Sequence, residues 1–343
     1  MTLPVRTGDD RRDAGPLVDP FGRVHTYVRV SVTDRCNYRC TYCMPAEGLA
    51  FLPREEVLTF EEITRIVRVL AGMGVYKVRL TGGEPTVRRD LPELVAMIAA
   101  IPGIRDLAMT TNGHLLDRLA EPLARAGMRR VNVSIDAMDP EVFRTLTRGG
   151  DVVRVLAGIT AARDAGMTPI KLNCVVMRGV NDHQVQPLIE AFADRPDVRI
   201  RFIEYMPFDQ VDGRTHHLPA REIRAALSER YTLEPLGRPE GGGPAFEWRL
   251  VETGQTVGFV SPITEHFCDA CNRIRLQADG HLRTCLSREA APSLRDVLRR
   301  GVDDGGLAVL LRERLWGKVA GHQAHLEGDA FLAFEGSMTP IGG

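Results

Sequence analysis

Residues 29 to 44 read Arg29-Val30-Ser31-Val32-Thr33-Asp34-Arg35-Cys36-Asn37-Tyr38-Arg39-Cys40-Thr41-Tyr42-Cys43-Met44. A short β-branched run leads into a polar loop, and Cys36, Cys40 and Cys43 give the spacing C-x3-C-x2-C. Three thiolates so close in sequence can grip one inorganic cluster from a single loop. On a four-iron cube, three ligands leave one iron open to bind and activate a small molecule. The competing readings are a zinc knuckle or scattered core cysteines. Structural zinc is closed and tetrahedral, yet no Cys or His follows within the next twenty residues, and only His25 lies shortly before.

Outward from this loop the chain alternates β-branched runs with amphipathic stretches. Strands are expected near 27–32, 75–80, 106–110, 130–135, 169–176 and 198–205, with helices between. That rhythm is the βα repeat of a parallel sheet. Six units rather than eight predict an α/β fold, an incomplete (βα)6 TIM-type barrel. In such barrels the chemistry sits on loops after the strands' C-terminal ends, and unusual residues fall there. Thr81-Gly82-Gly83-Glu84-Pro85 follows the second strand: its glycines would let backbone approach a ligand and its carboxylate could accept from an ammonium group, although Gly-Gly with Pro is also an ordinary turn. Thr110-Thr111-Asn112-Gly113 and Ser134-Ile135-Asp136 offer small hydroxyl and amide groups, or helix caps.

Arg29, Arg79, Lys171 and Arg201 each place a cation inside an otherwise apolar strand. That is costly unless the cation faces an anion or a partner carboxylate, so the four read as a ring aimed at one polyanion, with strand salt bridges as the other explanation. Cys174 reads as a core residue.

Beyond Glu229 the texture changes. Residues 237–244 form a Gly/Pro-rich loop without the Lys-Ser/Thr of a P-loop, and 248–251 with 256–260 read as an antiparallel hairpin. Cys268, Cys271 and Cys285 make a second triplet, C-x2-C-x13-C, again with no fourth cysteine. Arg273 and Arg275 alternate on one face of a probable strand beside it. Helices are expected at 294–300 and 307–319, and His216, His217, His266, His281, His322 and His325 show no ligand spacing. The expected division is a flexible tail, 1–20, a partial barrel, 21–235, and a C-terminal α+β extension, 236–343, ending in Gly342-Gly343.

Composition sets bounds. Among 343 residues, 44 basic and 45 acidic side chains give a net charge of -1, with 44% apolar residues. That is an ordinary globular composition, without the global field of a nucleic-acid-binding protein, so any polyanion must meet a local cluster. There is no 18-residue apolar run and hence no membrane span. Arg11-Arg12 is followed by Asp-Ala-Gly-Pro rather than an apolar segment, so no targeting signal is read. Close-set cysteines without a secretory signal favour metal binding in a reducing, cytoplasmic compartment.

The first triplet, with Tyr42 before its last cysteine, resembles the signature of the radical S-adenosylmethionine (SAM) enzymes. The two triplets, the ring of cations, the C-x2-C-x-R-x-R-x11-C block and the terminal Gly-Gly together resemble the GTP 3',8-cyclase family of molybdenum cofactor biosynthesis, over about residues 20–343. The resemblance implies two 4Fe-4S clusters, on Cys36, Cys40 and Cys43 and on Cys268, Cys271 and Cys285. It implies SAM contacts at Tyr42, Gly83, Ser134 and Met206, and GTP contacts at Arg29, Arg79, Thr110, Lys171, Arg201, Arg273, Ile274 and Arg275, with Gly342 and Gly343 reaching into the active site. A 5'-deoxyadenosyl radical would take hydrogen from C3' of GTP and C3' would bond C8, giving (8S)-3',8-cyclo-7,8-dihydroguanosine 5'-triphosphate. Implied partners are a one-electron donor such as flavodoxin or ferredoxin and, downstream, the cyclic pyranopterin monophosphate synthase; a homodimer is one open assembly. The rival is a radical SAM peptide-modifying enzyme with auxiliary clusters, which usually carries seven or more C-terminal cysteines against three here.

Overall fold

The computed structural model describes residues 15–206, 216–239, 243–286, 291–321, 326–327 and 330–331. Six strands lie parallel in chain order: β1 Tyr27–Ser31, β2 Lys77–Thr81, β3 Asp106–Thr111, β4 Arg130–Ser134, β5 Ile170–Val176 and β6 Val198–Glu204. Each agrees within about two residues with its sequence expectation. Helices α1 Phe60–Gly72, α2 Leu91–Ala99, α3 Leu116–Arg125, α4 Pro140–Thr147, α5 Val152–Asp164 and α6 Val185–Ala191 are the crossovers, followed by α7 Ala220–Ser228. Their starts are locally encoded: Thr59 and Glu62 form a reciprocal capping box on α1, and Asp139 followed by Pro140 caps α4.

Alternation along each strand sorts the side chains. Val28, Val30, Val78, Leu80, Leu107, Met109, Val131, Val133, Ile170, Leu172, Ile200 and Phe202 turn outward against the helices and are buried. Each contributes roughly 1.5–3 kcal/mol by leaving water. Cys174 falls on this outward parity of β5 and is fully buried in the core.

The C-terminal region continues the same sheet. β7 Leu233–Gly237, β8 Phe246–Leu250 and β9 Thr256–Val260 form an antiparallel meander whose last strand pairs parallel with β6, and β10 Arg273–Leu276 pairs parallel with β1 and antiparallel with β11 Leu282–Arg283. The full order is β11-β10-β1-β2-β3-β4-β5-β6-β9-β8-β7. The expected hairpin is therefore present, and the extension covers both edges of the six-stranded arc. Helices α8 Leu294–Arg299 and α9 Asp304–Trp316 follow, the latter starting and ending three residues before its expected bounds, and a two-residue pair, β12 Leu326–Glu327 with β13 Ala330–Phe331, comes last.

Part of the expected flexible tail is built into the fold. Leu17 is buried and exchanges backbone bonds with Met73 and His25, and Asp19 is fully buried. The reason is electrostatic: the Asp19 carboxylate accepts from Arg23 Nε at 2.5 Å and lies 3.0 Å from His25 Nε2. Burial pushes His25 down to about 4, so it stays neutral. Residues 1–14 lie outside the described residues. No helix among the described residues is long and apolar enough to cross a membrane.

Candidate active site

The inward parity of the parallel strands is polar, and strand register aligns it into rows. Arg275 on β10, Arg29 on β1, Arg79 on β2, Ala108 on β3 and Arg130 on β4 stand opposite one another in sequence. Above that row lies a second, Thr110, Asn132 and Lys171 on β3, β4 and β5. The rows line a cavity of about 430 Å³ that also takes in Arg201 on β6, all three cysteines of the first triplet and all three of the second. Eight basic side chains line it, Arg29, Lys77, Arg79, Arg130, Lys171, Arg201, Arg273 and Arg275, against three acidic ones, Glu84, Asp106 and Asp136. The wall therefore carries a local excess of positive charge in a chain whose net charge is -1.

Part of this charge is balanced internally: Arg201 meets Glu247 at 3.1 Å, and Arg130 and Lys77 both meet Asp106. Part is not. Among the described residues Arg79 Nε, Arg201 Nε, Arg275 Nε and Thr110 Oγ1 are buried without a hydrogen-bond partner. Orphaned buried donors of this kind call for a ligand. Burial pushes Lys171 down to about 6, aided by Arg201, Arg130 and Arg79, and burial with neighbouring cations lowers Arg29 and Arg275. A polyanion would satisfy these groups together.

The first cysteine loop follows β1 and is clamped on two sides. From α4, Arg39 N donates to Thr147 O, Thr41 N to Leu146 O, and the Arg148 guanidinium to Met44 O at 2.8 Å. From the β2 loop, Gly83 N donates to Thr33 O and Glu84 N to Arg35 O, both at 2.8 Å. This close approach is what the glycines serve: a Cβ on Gly83 would meet Arg35 O at 2.4 Å, and one on Gly82 would meet Thr33 O at 2.5 Å. They admit the cysteine loop's backbone rather than only a ligand. The Glu84 carboxylate is likewise already engaged, accepting from Thr86 N and Oγ1, Thr111 Oγ1 and Asn112 N. It therefore ties two strand-end loops together instead of standing ready for an ammonium group.

Tyr42 Oη donates to Asp136 at 2.6 Å, and Val175 N donates to the same carboxyl, which burial pushes up to about 6. Gly83, Ser134 and Met206 line the cavity near these groups, as do Asn132 and Asn173. Burial raises Cys36 to about 11 and raises Cys40 as well. The second triplet is electrostatically different: burial opposes ionisation of Cys271, but Lys318, Arg273 and Arg275 bring it down to about 6. Arg273 also lies over the Phe267 ring at 5.0 Å.

All seven cysteines are free thiols. Among the described residues no three His, Cys, Asp or Glu side chains converge on a point where one metal ion could sit. Each triplet places three thiols on the wall of the cavity, the donor type that holds iron-sulfur clusters.

Two expectations fare differently. Ile274 has the outward parity of β10 and is buried in the core, and it is not among the residues that line the cavity. Gly342 and Gly343 lie outside the described residues. Sequence reading missed Lys77 and Arg130. Lys77 is two residues before Arg79 on the same face of β2, a period-2 signal that was legible; Arg130 opens β4 after Arg129 and looks like loop charge.

A six-stranded parallel arc with an open cysteine triplet after its first strand defines a radical SAM enzyme, and a Radical SAM superfamily profile matches residues 30–192. A second profile, Molybdenum Cofactor Synthesis C, matches residues 198–324. The fold is shared with Streptococcus suis SuiB bound to S-adenosylmethionine, at TM-score 0.57 and 16% identity over 83% of this chain and 68% of that one. At the level of the individual family, the chain is 46% identical to the GTP 3',8-cyclase of Rhizobium etli over 90% of its length and 89% of the relative's. It is 44% identical to that of Pseudomonas putida over 94% and 97%, and 42% identical to that of Listeria monocytogenes over 91% and 93%. The chain belongs to the GTP 3',8-cyclases, radical SAM lyases that act on GTP in molybdenum cofactor biosynthesis. The peptide-modifying alternative is set aside by this match.

Proposed function

We propose that the two cysteine triplets and the cationic rows between them form one catalytic chamber, with SAM at one end and the GTP base at the other. In this reading Cys36, Cys40 and Cys43 hold the SAM-binding 4Fe-4S cluster, with Tyr42, Gly83, Ser134 and Met206 around SAM. Cys268, Cys271 and Cys285 hold a second 4Fe-4S cluster that receives guanine. When bound, the first cluster and SAM would supply, on uptake of one electron, the 5'-deoxyadenosyl radical; it would take the hydrogen atom from C3' of GTP, C3' would bond C8, and one further electron and a proton would complete the 7,8-dihydroguanosine product.

The observation that carries this reading is the in-register row Arg275, Arg29, Arg79 and Arg130 in a cavity lined by both triplets. A triphosphate carries close to four negative charges, and guanidinium forks match phosphate oxygens bidentately. Arg29, Arg79, Lys171 and Arg201 grip the triphosphate, joined by Lys77 and Arg130. Arg273, Arg275 and the Ile274 main chain hold the guanine end, and Thr110 Oγ1 bonds the sugar. The buried wall keeps water away from a carbon radical while holding the ribose edge toward SAM. Gly342 and Gly343, which lie outside the described residues, are assigned by the resemblance alone to the active site. The chain works in the cytoplasm, as a monomer or homodimer, takes electrons from a flavodoxin or ferredoxin, and passes its product to the cyclic pyranopterin monophosphate synthase. The division at residue 235 separates barrel from extension, although β9 and β10 share the barrel's sheet, whereas the boundary at residue 20 falls inside the folded part, which already includes the buried Leu17 and Asp19.

The test separates the two triplets. Cys36→Ala should abolish 5'-deoxyadenosine formation altogether, whereas Cys271→Ala should keep uncoupled formation and lose GTP conversion. Equal loss of SAM cleavage in both variants would count against the division of labour.

A further inference from the structure

Lys318 follows the last turn of α9 and is only 5% exposed. A buried ammonium is costly unless its three donors are matched. Here Nζ donates to Thr284 O at 2.5 Å and Arg273 O at 3.0 Å, and lies 3.5 Å from Cys271 Sγ. Thr284 precedes Cys285, and Arg273 lies two residues beyond Cys271, so one cation joins the chain segments that carry both cysteines. Two carbonyls and a sulfur account for all three donors. The third cysteine is fastened from the same side: Arg23 donates to Cys268 O at 2.8 Å and to Val319 O and Ala320 O, and is itself held by Asp19. The segment 318–320 is thereby locked between the N-terminal segment and the second triplet.

We propose that Lys318 is a positioning residue for the second cluster, tying the Cys271 and Cys285 segments together and placing a fixed positive charge against the Cys271 sulfur. The inference rests on the reading of that triplet as cluster ligands. A cation close to a ligand sulfur in a buried site favours the cluster state that holds one more electron. Removing it therefore makes one-electron reduction harder, with dithionite as the external reductant.

The experiment uses the full chain with Cys36, Cys40 and Cys43 replaced by Ser, so that iron reports on the second site alone. Iron content and a potentiometric titration followed by electron paramagnetic resonance are compared for Lys318, Lys318→Met and Lys318→Arg. The expected result is that Lys318→Met keeps its iron but shows an oxidised-to-reduced ratio at fixed potential raised about tenfold, roughly 59 mV for one electron, with Lys318→Arg closer to the parent. Loss of iron in Lys318→Met with retention in Lys318→Arg supports the same role. An unchanged potential in Lys318→Met, or loss of iron from both variants, overturns it. Absence of iron from the Lys318 parent would remove the second-cluster reading, and the inference with it.

Discussion

Arg79→Met separates what the cationic row does for the ligand from what it does to the fold. Arg79 is buried, stands between Arg29 and the β3 backbone in register, stacks over Tyr27 at 5.6 Å, and has an unpartnered Nε. Losing one charge-assisted phosphate contact costs roughly 1.5–3 kcal/mol of binding, about ten- to a hundredfold in GTP Kd at 1.4 kcal/mol per tenfold. The ligand-free protein should respond in the opposite direction. Replacing a crowded buried cation by an apolar chain of similar length is neutral to stabilising, and the lost stacking on Tyr27, up to about 2 kcal/mol, limits the gain to about 1 kcal/mol. Calorimetric titration with GTP and thermal melting of the anaerobically reconstituted protein read both quantities. The expected pair is weaker GTP binding with an unchanged or slightly raised Tm. GTP affinity within twofold of the parent would refute the assignment of the row to the triphosphate.

Three further outcomes are expected. Lys171 is pushed down to about 6, so between pH 6 and the ordinary lysine range the unfolded chain holds a proton that the folded one lacks; this group makes stability rise with pH across that window, and Lys171→Met should flatten the rise in melting curves. At pH 7.5 GTP should return the proton, so titrations in buffers of different ionisation enthalpy should give a greater proton uptake for the parent than for Lys171→Met, and equal uptake would contradict the placement of Lys171 against phosphate. Gly83→Ala must push the β2 loop off Arg35 O, 2.4 Å from the new methyl, and should lower first-cluster iron and SAM cleavage together; full iron and normal cleavage would show that the contact relaxes harmlessly. Tyr42→Phe leaves the buried Asp136 carboxyl without its 2.6 Å donor, which costs about 1–3 kcal/mol and should appear as a lower Tm.

The barrel strands were legible because their two parities carry different chemistry. Val28 and Val30 belong to a core face, and Arg29 between them has no apolar explanation. The same logic extended to Arg273 and Arg275, and placed Cys174 in the core. What could not be read was pairing at long range: nothing local in residues 273–276 announces that they lie beside β1, which is what brings Arg275 opposite Arg29 and the second triplet to the first. The Gly82-Gly83 pair was read toward a ligand because glycine reports only that something approaches closely, and here the approaching group is the cysteine loop itself. Asp19 was read as part of a flexible tail because what anchors it is not local: it holds Arg23, whose other partners at Cys268 and residues 319–320 are some 245 to 297 positions away.

The most direct test of the chamber is anaerobic incubation of the reconstituted enzyme with SAM, a strong reductant and GTP deuterated at C3', followed by mass analysis of the 5'-deoxyadenosine. Deuterium in that nucleoside is the predicted result, because in the proposed chamber the cationic rows would hold the triphosphate so that C3' meets the radical. Formation of 5'-deoxyadenosine without deuterium would contradict the placement of GTP between the two triplets.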